Sequence, residues 1–187
     1  IVSNWNVFDF ARPEHLQKIL FAGEVMPVKH LNYWRRYLPD CLYANLFGPT
    51  ETTDICSFYV VDRNFADSDS LPIGRACDNC DTFLLTEEGT RASRAGEEGE
   101  IVVRGSFLAD GYYNEPVFTQ NPLNTAFPER IYRTGDLARL NEKGEFIYIS
   151  RKDFQIKRMG YRIELGEIEA AAGSIEKVKS AAALYDA

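Results

Sequence analysis

Four short β-rich runs, each bounded by a glycine-bearing turn, limit what residues 58–150 can become. Thr82 to Leu85 precede Glu88-Gly89, Glu100 to Val103 precede Gly105, Ile131 to Arg133 precede Gly135, and Phe146 to Ile149 follow Lys143-Gly144. Runs of this length punctuated at this rate predict strands, arranged as a barrel-like subdomain or as small sheets. The stretch Glu87 to Glu100, rich in Gly, Ser and charge, reads as a solvated loop.

Residues 1–57 have a different texture. Pro13 stands where a helix can begin, with Leu16, Ile19 and Leu20 at helical spacing, although Ile19 to Ala22 reads equally as a strand entering a turn at Gly23. A second helix is better marked: Pro27 opens it, Val28, Leu31, Trp34, Tyr37 and Leu38 form one stripe, and Pro39 ends it. Cys41 to Phe47 then predicts a buried strand broken by Gly48-Pro49. Alternation of this kind predicts part of an α/β layer. Beyond Arg151 a basic stretch leads into Glu164 to Ala172, where Leu165, Ile168 and Ala172 make a modest helical stripe. The expected class is therefore α/β and β mixed, in three parts: 1–57, 58–150 and 151–187. The chain opens at Ile1 without a methionine and closes on the apolar Ser180-Ala-Ala-Ala-Leu-Tyr185, a strand in want of partners, so we expect a piece of something longer.

Charge narrows the function classes. With 28 acids against 21 bases the net charge is −7, and no global positive field exists to gather nucleic acid or an acidic membrane surface. No apolar run approaches the roughly 18–20 residues of a bilayer span, and no signal peptide is recognisable; the expected location is the cytoplasm. Four cysteines, at 41, 56, 77 and 80, are too few and too unevenly placed for a disulfide framework. Cys77 and Cys80 have the spacing of half a zinc site, which Cys41 and Cys56 do not complete at matching spacing, so buried or incidental thiols are expected. His15 and His30 fall on predicted helices and read as surface residues. Trp34, Tyr37, Phe58 and Tyr59 read as core.

Three motifs carry chemistry. In Asn45-Leu-Phe-Gly-Pro-Thr-Glu-Thr-Thr53, the Gly-Pro pair lifts Thr50 and Glu51 out of the preceding strand. Such a turn offers an aromatic face, a hydroxyl for a phosphate oxygen and a carboxylate for Mg²⁺, which favours few carboxylates plus substrate phosphates. In Tyr132-Arg-Thr-Gly-Asp-Leu137, Gly135 frees the backbone so that Asp136 projects, and its two oxygens suit the paired hydroxyls of a ribose. Five basic residues and one acid lie within positions 151 to 162, a local charge reversal that suits an anionic ligand as well as a solvated cationic strand.

Together with Gly99-Glu-Ile-Val-Val-Arg-Gly105 and Gly111-Tyr-Tyr-Asn114 between them, these motifs resemble, in order, those of the adenylate-forming superfamily: peptide-synthetase adenylation domains, acyl-CoA synthetases and luciferases. The resemblance runs from about Leu20 to the C-terminus. Gly160-Tyr-Arg-Ile-Glu-Leu-Gly-Glu-Ile-Glu169 and Asp153-Phe-Gln-Ile-Lys157 are most similar to amino-acid adenylation domains, including D-alanine carrier-protein ligases.

The resemblance implies ATP and Mg²⁺ as cofactors, an amino-acid substrate activated as its adenylate, and a carrier protein whose phosphopantetheine thiol accepts the acyl group. It places residues 1–57 in the large lobe's α/β layer, 58–150 in its β-barrel portion and 151–187 at the start of the small C-terminal lobe. It implies that Asn45 and Phe47 flank the adenine, with Gly48 of the turn beside the nucleotide. Thr50 contacts the α-phosphate, Glu51 holds Mg²⁺, Asp136 accepts the ribose hydroxyls, and Tyr148 and Arg151 contact the nucleotide. Thr50, Glu51 and Arg151 form the catalytic set. Asp153 matches the hinge, and Gly160 and Tyr161 the loop that lines the pantetheine tunnel. Leu20, Ala22, Leu46, Asp54 and Ile55 match the substrate pocket, whose apolar character with one acid implies a small or aliphatic amino acid, or one whose amine pairs with Asp54.

Departures accompany the matches. Ser150 stands where the family usually has glycine. The family's phosphate loop with its lysine, its upstream substrate-binding aspartate and its late catalytic lysine do not occur in these residues, so the 187 residues alone are expected to be inactive. Two other readings stay open at this point: an acyl-CoA synthetase using free CoA, and a nucleotide-binding or carrier-docking module without catalysis.

Overall fold

A computed structural model describes residues 2–114, 130–153, 155–175 and 177–185. Phe154 of the basic motif lies outside the described residues.

The first sheet has the order β1-β2-β3-β4: β1 (Lys18–Phe21), β2 (Leu42–Phe47), β3 (Ser57–Val60) and β4 (Arg75–Ala76). β1 runs parallel to β2, with Ile19 opposite Tyr43, while β2–β3 and β3–β4 are antiparallel. The residues after Pro13 thus take the strand alternative and not the helix. Four consecutive ladder pairs with β2 hold them there, an interaction that spacing alone does not encode. His15 accordingly lies in an irregular segment, while His30 is helical and meets the Ser3 hydroxyl at 2.7 Å.

The crossover between β1 and β2 is α1 (Val28–Tyr37), with Pro27 extended before it. Its stripe buries Val28 and Leu31 against Tyr43, Tyr59 and Leu71, with Trp34 packed on the same cluster. Phe58, by contrast, is 40% exposed, because strand alternation turns it away from the face that buries Tyr59.

The second sheet has the order β5-β6-β7-β8: β5 (Asp81–Leu85), β6 (Glu98–Arg104), β7 (Ile131–Leu140) and β8 (Phe146–Arg151), all antiparallel. Within the described residues it is an open sheet, correcting the barrel-like expectation. β5 and β8 do not meet; the free edge of β8 is taken instead by the segment before β4, through Ile73 N–H to Phe146 O at 2.9 Å and Phe146 N–H to Gly74 O at 2.7 Å. That stitching joins the two sheets and leaves no edge for closure.

Between them lies the main core, formed by Phe47, Cys56, Ile73, Leu84, Ile101, Val103, Tyr132, Ala138 and Phe146. Val102 faces the other side with Phe83 and Ile131. β6 is therefore buried on both faces, which explains its unbroken Ile101-Val102-Val103 run.

A hairpin of β9 (Gln155–Arg158) and β10 (Tyr161–Glu164) follows, then α2 (Leu165–Gly173), which has no buried residue; Ile168 is 49% exposed. The expected terminal strand is absent among the described residues: 180–185 are irregular, held by Ala183 N–H to Glu169 and by Arg158 to the Tyr185 hydroxyl. No helix among the described residues is long and apolar enough to cross a membrane.

The packing of α1 makes a direct stability statement. Leu31 is fully buried, and Leu31→Ala is expected to lower the unfolding free energy by about 2–5 kcal/mol, read from a urea titration. Lys29→Ala on the exposed face of the same helix is expected to change it by less than about 0.5 kcal/mol.

Candidate active site

The turn after β2 is built by steric exclusion. A Cβ on Gly48 would lie 2.1 Å from the Asp54 carbonyl oxygen, so only glycine lets the chain double back so tightly. Thr50–Thr52 form one 3₁₀ turn, with the Thr52 hydroxyl donating to Pro49 O at 2.9 Å. Thr53 and Asp54 then adopt positive φ (49° and 81°) before Cys56 N–H returns to Phe47 O at 2.9 Å. Two consecutive non-glycine residues in that region are the kind of strain that accumulates at functional sites.

Glu51 is thereby folded inward, 7% exposed. Its Oε1 accepts hydrogen bonds from the Tyr112 hydroxyl and from Arg162 Nη1 at 2.8 Å, while Oε2 is buried without a partner. Burial raises its pKa, but the hydrogen bonds from Tyr112, its own backbone and Arg162 outweigh that and hold the carboxyl below its ordinary range.

Asp136 reaches the same region from the second sheet. Along β7 the side chains of Tyr132, Thr134, Asp136 and Ala138 are buried on the face toward the main core. Gly135 has φ +74°, and a Cβ there would meet Arg151 Nη2 at 2.7 Å. Asp136 sits directly across from Arg151 of β8 in the ladder. It is 2% exposed; Oδ1 accepts from Arg151 Nη1 at 3.2 Å, and Oδ2 is buried without a partner. Burial pushes its pKa up, against the opposing pull of Arg151 and Lys157. Arg151 is itself clamped by Asp153, with both guanidinium–carboxylate contacts at 2.6 Å.

Two cavities of about 230 Å³ each open around these groups. One is lined by Gly48, Thr50, Asp54, Thr134 and Arg151, and by Gly160 and Tyr161 of the hairpin. The other is lined by Glu51, Ala109, Gly111 and Tyr112, and the two share Thr50, Tyr132 and Arg162. The hairpin turn at Met159 and Gly160, both with positive φ, places Gly160 N–H on Glu24 Oε1 at 3.1 Å.

Thr50, Glu51, Gly48, Asp54, Arg151, Gly160 and Tyr161 are thus brought to one region, with Asp136 and Asp153 joined to it through Arg151. Asn45 is buried with its amide on Pro72 O at 2.8 Å, and Phe47 belongs to the core with Lys157 Nζ 5.9 Å above its ring. Tyr148 packs against the same core, and burial pushes its hydroxyl up to about 12. Neither these three nor Leu20, Ala22, Leu46 and Ile55 line either cavity; Leu20 is 59% exposed on β1. The sequence reading missed the carboxylate partners Tyr112 and Arg162, although each sits inside a quoted motif, and it missed Glu24, which carries no signal of its own.

Among the described residues no group of three or more His, Cys, Asp or Glu is placed to hold a metal ion. A single buried carboxylate oxygen, Glu51 Oε2, fits Mg²⁺ in its usual manner, with substrate phosphates supplying other ligands.

Two stitched sheets thus set a Thr-Glu turn near a buried Asp–Arg pair. The chain belongs to the AMP-binding enzyme family, whose model matches residues 6–113. It is 38% identical over 180 residues to the L-proline–[L-prolyl-carrier protein] ligase of Streptomyces coelicolor, covering 93% of this chain and 33% of that one. It is 37% identical over 167 residues to gramicidin S synthase 2 of Brevibacillus brevis, covering 88% of this chain and 4% of the synthase. Among solved structures, PA1221, described as an NRPS protein containing adenylation and PCP domains, superposes with a TM-score of 0.82 at 32% identity, covering 89% of this chain and 34% of that chain. The chain thus spans between 4% and 34% of the length of these proteins.

The opposite pKa directions of the two carboxyls give opposite stability profiles. The raised pKa of Asp136 contributes stability that is present below its unfolded pKa and lost as pH rises through the folded one; the lowered pKa of Glu51 contributes stability present above its unfolded pKa and lost as pH falls through the folded one. Asp136→Asn is therefore expected to gain stability over the parent chain as pH rises from the acid range to neutrality. Glu51→Gln is expected to fall behind over the same range, in denaturation midpoints measured at a series of pH values.

Proposed function

We propose that this chain is the nucleotide-binding part of an AMP-forming ligase that activates an amino acid and delivers it to a carrier-protein thiol. The observation that carries the reading is the pair of buried, unanswered carboxylate oxygens, Glu51 Oε2 and Asp136 Oδ2, the first on a residue that lines a cavity with Thr50, the second on a residue paired with Arg151 of the adjoining cavity. Desolvated acceptors of this kind call for a ligand with donors or a cation at matching places.

In this reading Asp136 Oδ2 accepts a ribose hydroxyl, and Arg151 beside it contacts the nucleotide. The Thr50 hydroxyl donates to an α-phosphate oxygen. Glu51 Oε2 would hold Mg²⁺, which would supply neutralisation of phosphate charge. Held in line, the amino-acid carboxylate attacks the α-phosphorus, the bond to the β-phosphate oxygen breaks, and pyrophosphate leaves. Asp153 acts as the hinge of the segment 151–187, and the hairpin carrying Gly160 and Tyr161 lines the path of the phosphopantetheine arm during transfer. Supply of ATP and of carrier protein assigns the reaction to the cytoplasm. The names of the relatives support the carrier-protein acceptor and the amino-acid substrate class.

Binding of AMP to the chain, followed calorimetrically, tests the nucleotide reading. Asp136→Ala is expected to weaken it by about 10- to 100-fold, the worth of hydrogen bonds to a charged acceptor. 2′-Deoxy- and 3′-deoxy-AMP are expected to lose affinity on the parent chain and to lose little further on the variant. AMP affinity unchanged by Asp136→Ala defeats the assignment.

The substrate side is tested by amino-acid-dependent pyrophosphate exchange in an intact synthetase carrying this chain. Asp54→Ala is expected to reorder the preference among amino acids; rates unchanged across the whole set would remove Asp54 from the pocket.

A further inference from the structure

The Cys77-Asp-Asn-Cys80 turn takes no part in the nucleotide reading, yet it gathers three of the four thiols. Cys80 N–H donates to Cys77 O at 3.1 Å, closing a β-turn. The ends of such a turn lie within about 7 Å of one another, and a disulfide spans Cα atoms about 4.4–6.8 Å apart.

Both sulfurs address the same short stretch of backbone. Cys77 Sγ donates to Ile55 O at 3.9 Å and Cys80 Sγ to Cys56 O at 3.2 Å, so both sulfurs turn toward the carbonyls of two consecutive residues. Cys77 and Cys80 are half-buried, and Asp78 and Asn79 between them are exposed, so a small reagent can approach from solvent. Cys56 lies fully buried beneath, and Cys41 is engaged elsewhere, on Leu16 O at 2.9 Å.

We propose that Cys77 and Cys80 form a dithiol site that a small-molecule disulfide oxidises to an intrachain bridge. The thiolate of one cysteine attacks a sulfur of the reagent, forming a mixed disulfide and expelling one small thiolate. The thiolate of the second cysteine then attacks the protein-borne sulfur of that mixed disulfide and expels the other. Two protein S–H bonds and one reagent S–S bond are lost; one protein S–S bond forms, and the two protons leave with the two small thiols. When the Cys80 S–H donor is gone, Cys56 O keeps its bonds from Cys77 N–H at 3.0 Å and the Thr82 hydroxyl at 3.1 Å, and Ile55 O gives up only the 3.9 Å contact from Cys77. Burial pushes the Cys77 thiol above its ordinary range, so exchange is slow and is followed to its end point.

The test equilibrates the purified 187-residue chain with glutathione disulfide, alkylates it after denaturation, and maps it by mass spectrometry without reduction. The expected product has lost two hydrogens, carries no glutathione and alkylates at two cysteines in place of the original four, with Cys77 and Cys80 in one linked peptide. Cys77→Ser and Cys80→Ser, which keep a hydroxyl donor, are each expected to stop at a glutathione adduct on the remaining cysteine. Four free thiols, a stable adduct on the unsubstituted chain, or a bridge through Cys41 or Cys56 would overturn the proposal.

Discussion

The withdrawal of two carboxyl groups from water is the constraint from which the rest of the arrangement follows. Removing an ionised carboxylate to a protein interior costs several kcal/mol, and a single partner offsets it only when geometry and the remaining hydrogen bonds are good. Glu51 and Asp136 each have one arginine on one oxygen and nothing on the other. Replacing each carboxylate together with its arginine by well-packed apolar side chains is often neutral or better for folding. The presence of the two carboxylates makes sense in terms of a ligand that completes them.

Placing both groups requires two sheets in fixed relation. The first supplies the Thr50-Glu51 turn at the end of β2; the second supplies Asp136 from β7, whose cross-strand partner Arg151 is fixed by the ladder and clamped again by Asp153. Stitching between the segment before β4 and β8 sets the distance between the sheets. Against this fixed wall the β9–β10 hairpin is held more lightly. Its contacts with residues 1–60 include Gly160 N–H to Glu24, Arg162 to Glu51 and Lys157 over Phe47, all from side chains or turns that remain partly open to solvent. A rigid wall and a lightly held strap is the division of labour expected where a site must both bind and release.

Local chemistry was the part of this structure most open to reading in the sequence. The Pro27 to Pro39 helix, the strand ending at Phe47 and three of the four β runs carry their own punctuation, and the structure places each close to where that punctuation falls. Long-range pairing had no such marks. The residues after Pro13 are strand because β2 lies beside them, and β7 runs on through Gly135 to Leu140 because β6 and β8 flank it. Short β runs left a barrel-like subdomain and small sheets both open, and among the described residues the sheets form, because β8 spends its edge on residues 73 and 74. In the candidate site, the Gly48-Pro49 pair announced the turn that carries Thr50 and Glu51, and Gly135 marked Asp136, though as a buried strand residue and not an exposed turn, while Arg151 came from the family resemblance. The partners of Glu51 were not legible, since Tyr112 and Arg162 reach it across 61 and 111 positions of chain.

The two carboxyls also differ in a way that bears on what each side of the cleft receives. Glu51 draws on Tyr112 as well as Arg162 and stays ionised below the ordinary range, whereas Asp136 has an arginine already shared with Asp153 and is pushed up by burial. Neutral donors such as hydroxyls complete an under-supplied carboxylate without adding charge, which suits Asp136 to a sugar diol. On Glu51 a second cation can join the arginine only if further negative charge arrives with it, and phosphate groups bring that charge. In the proposed reading this distribution of donors orients the nucleotide, sugar toward β7 and phosphates toward the turn after β2.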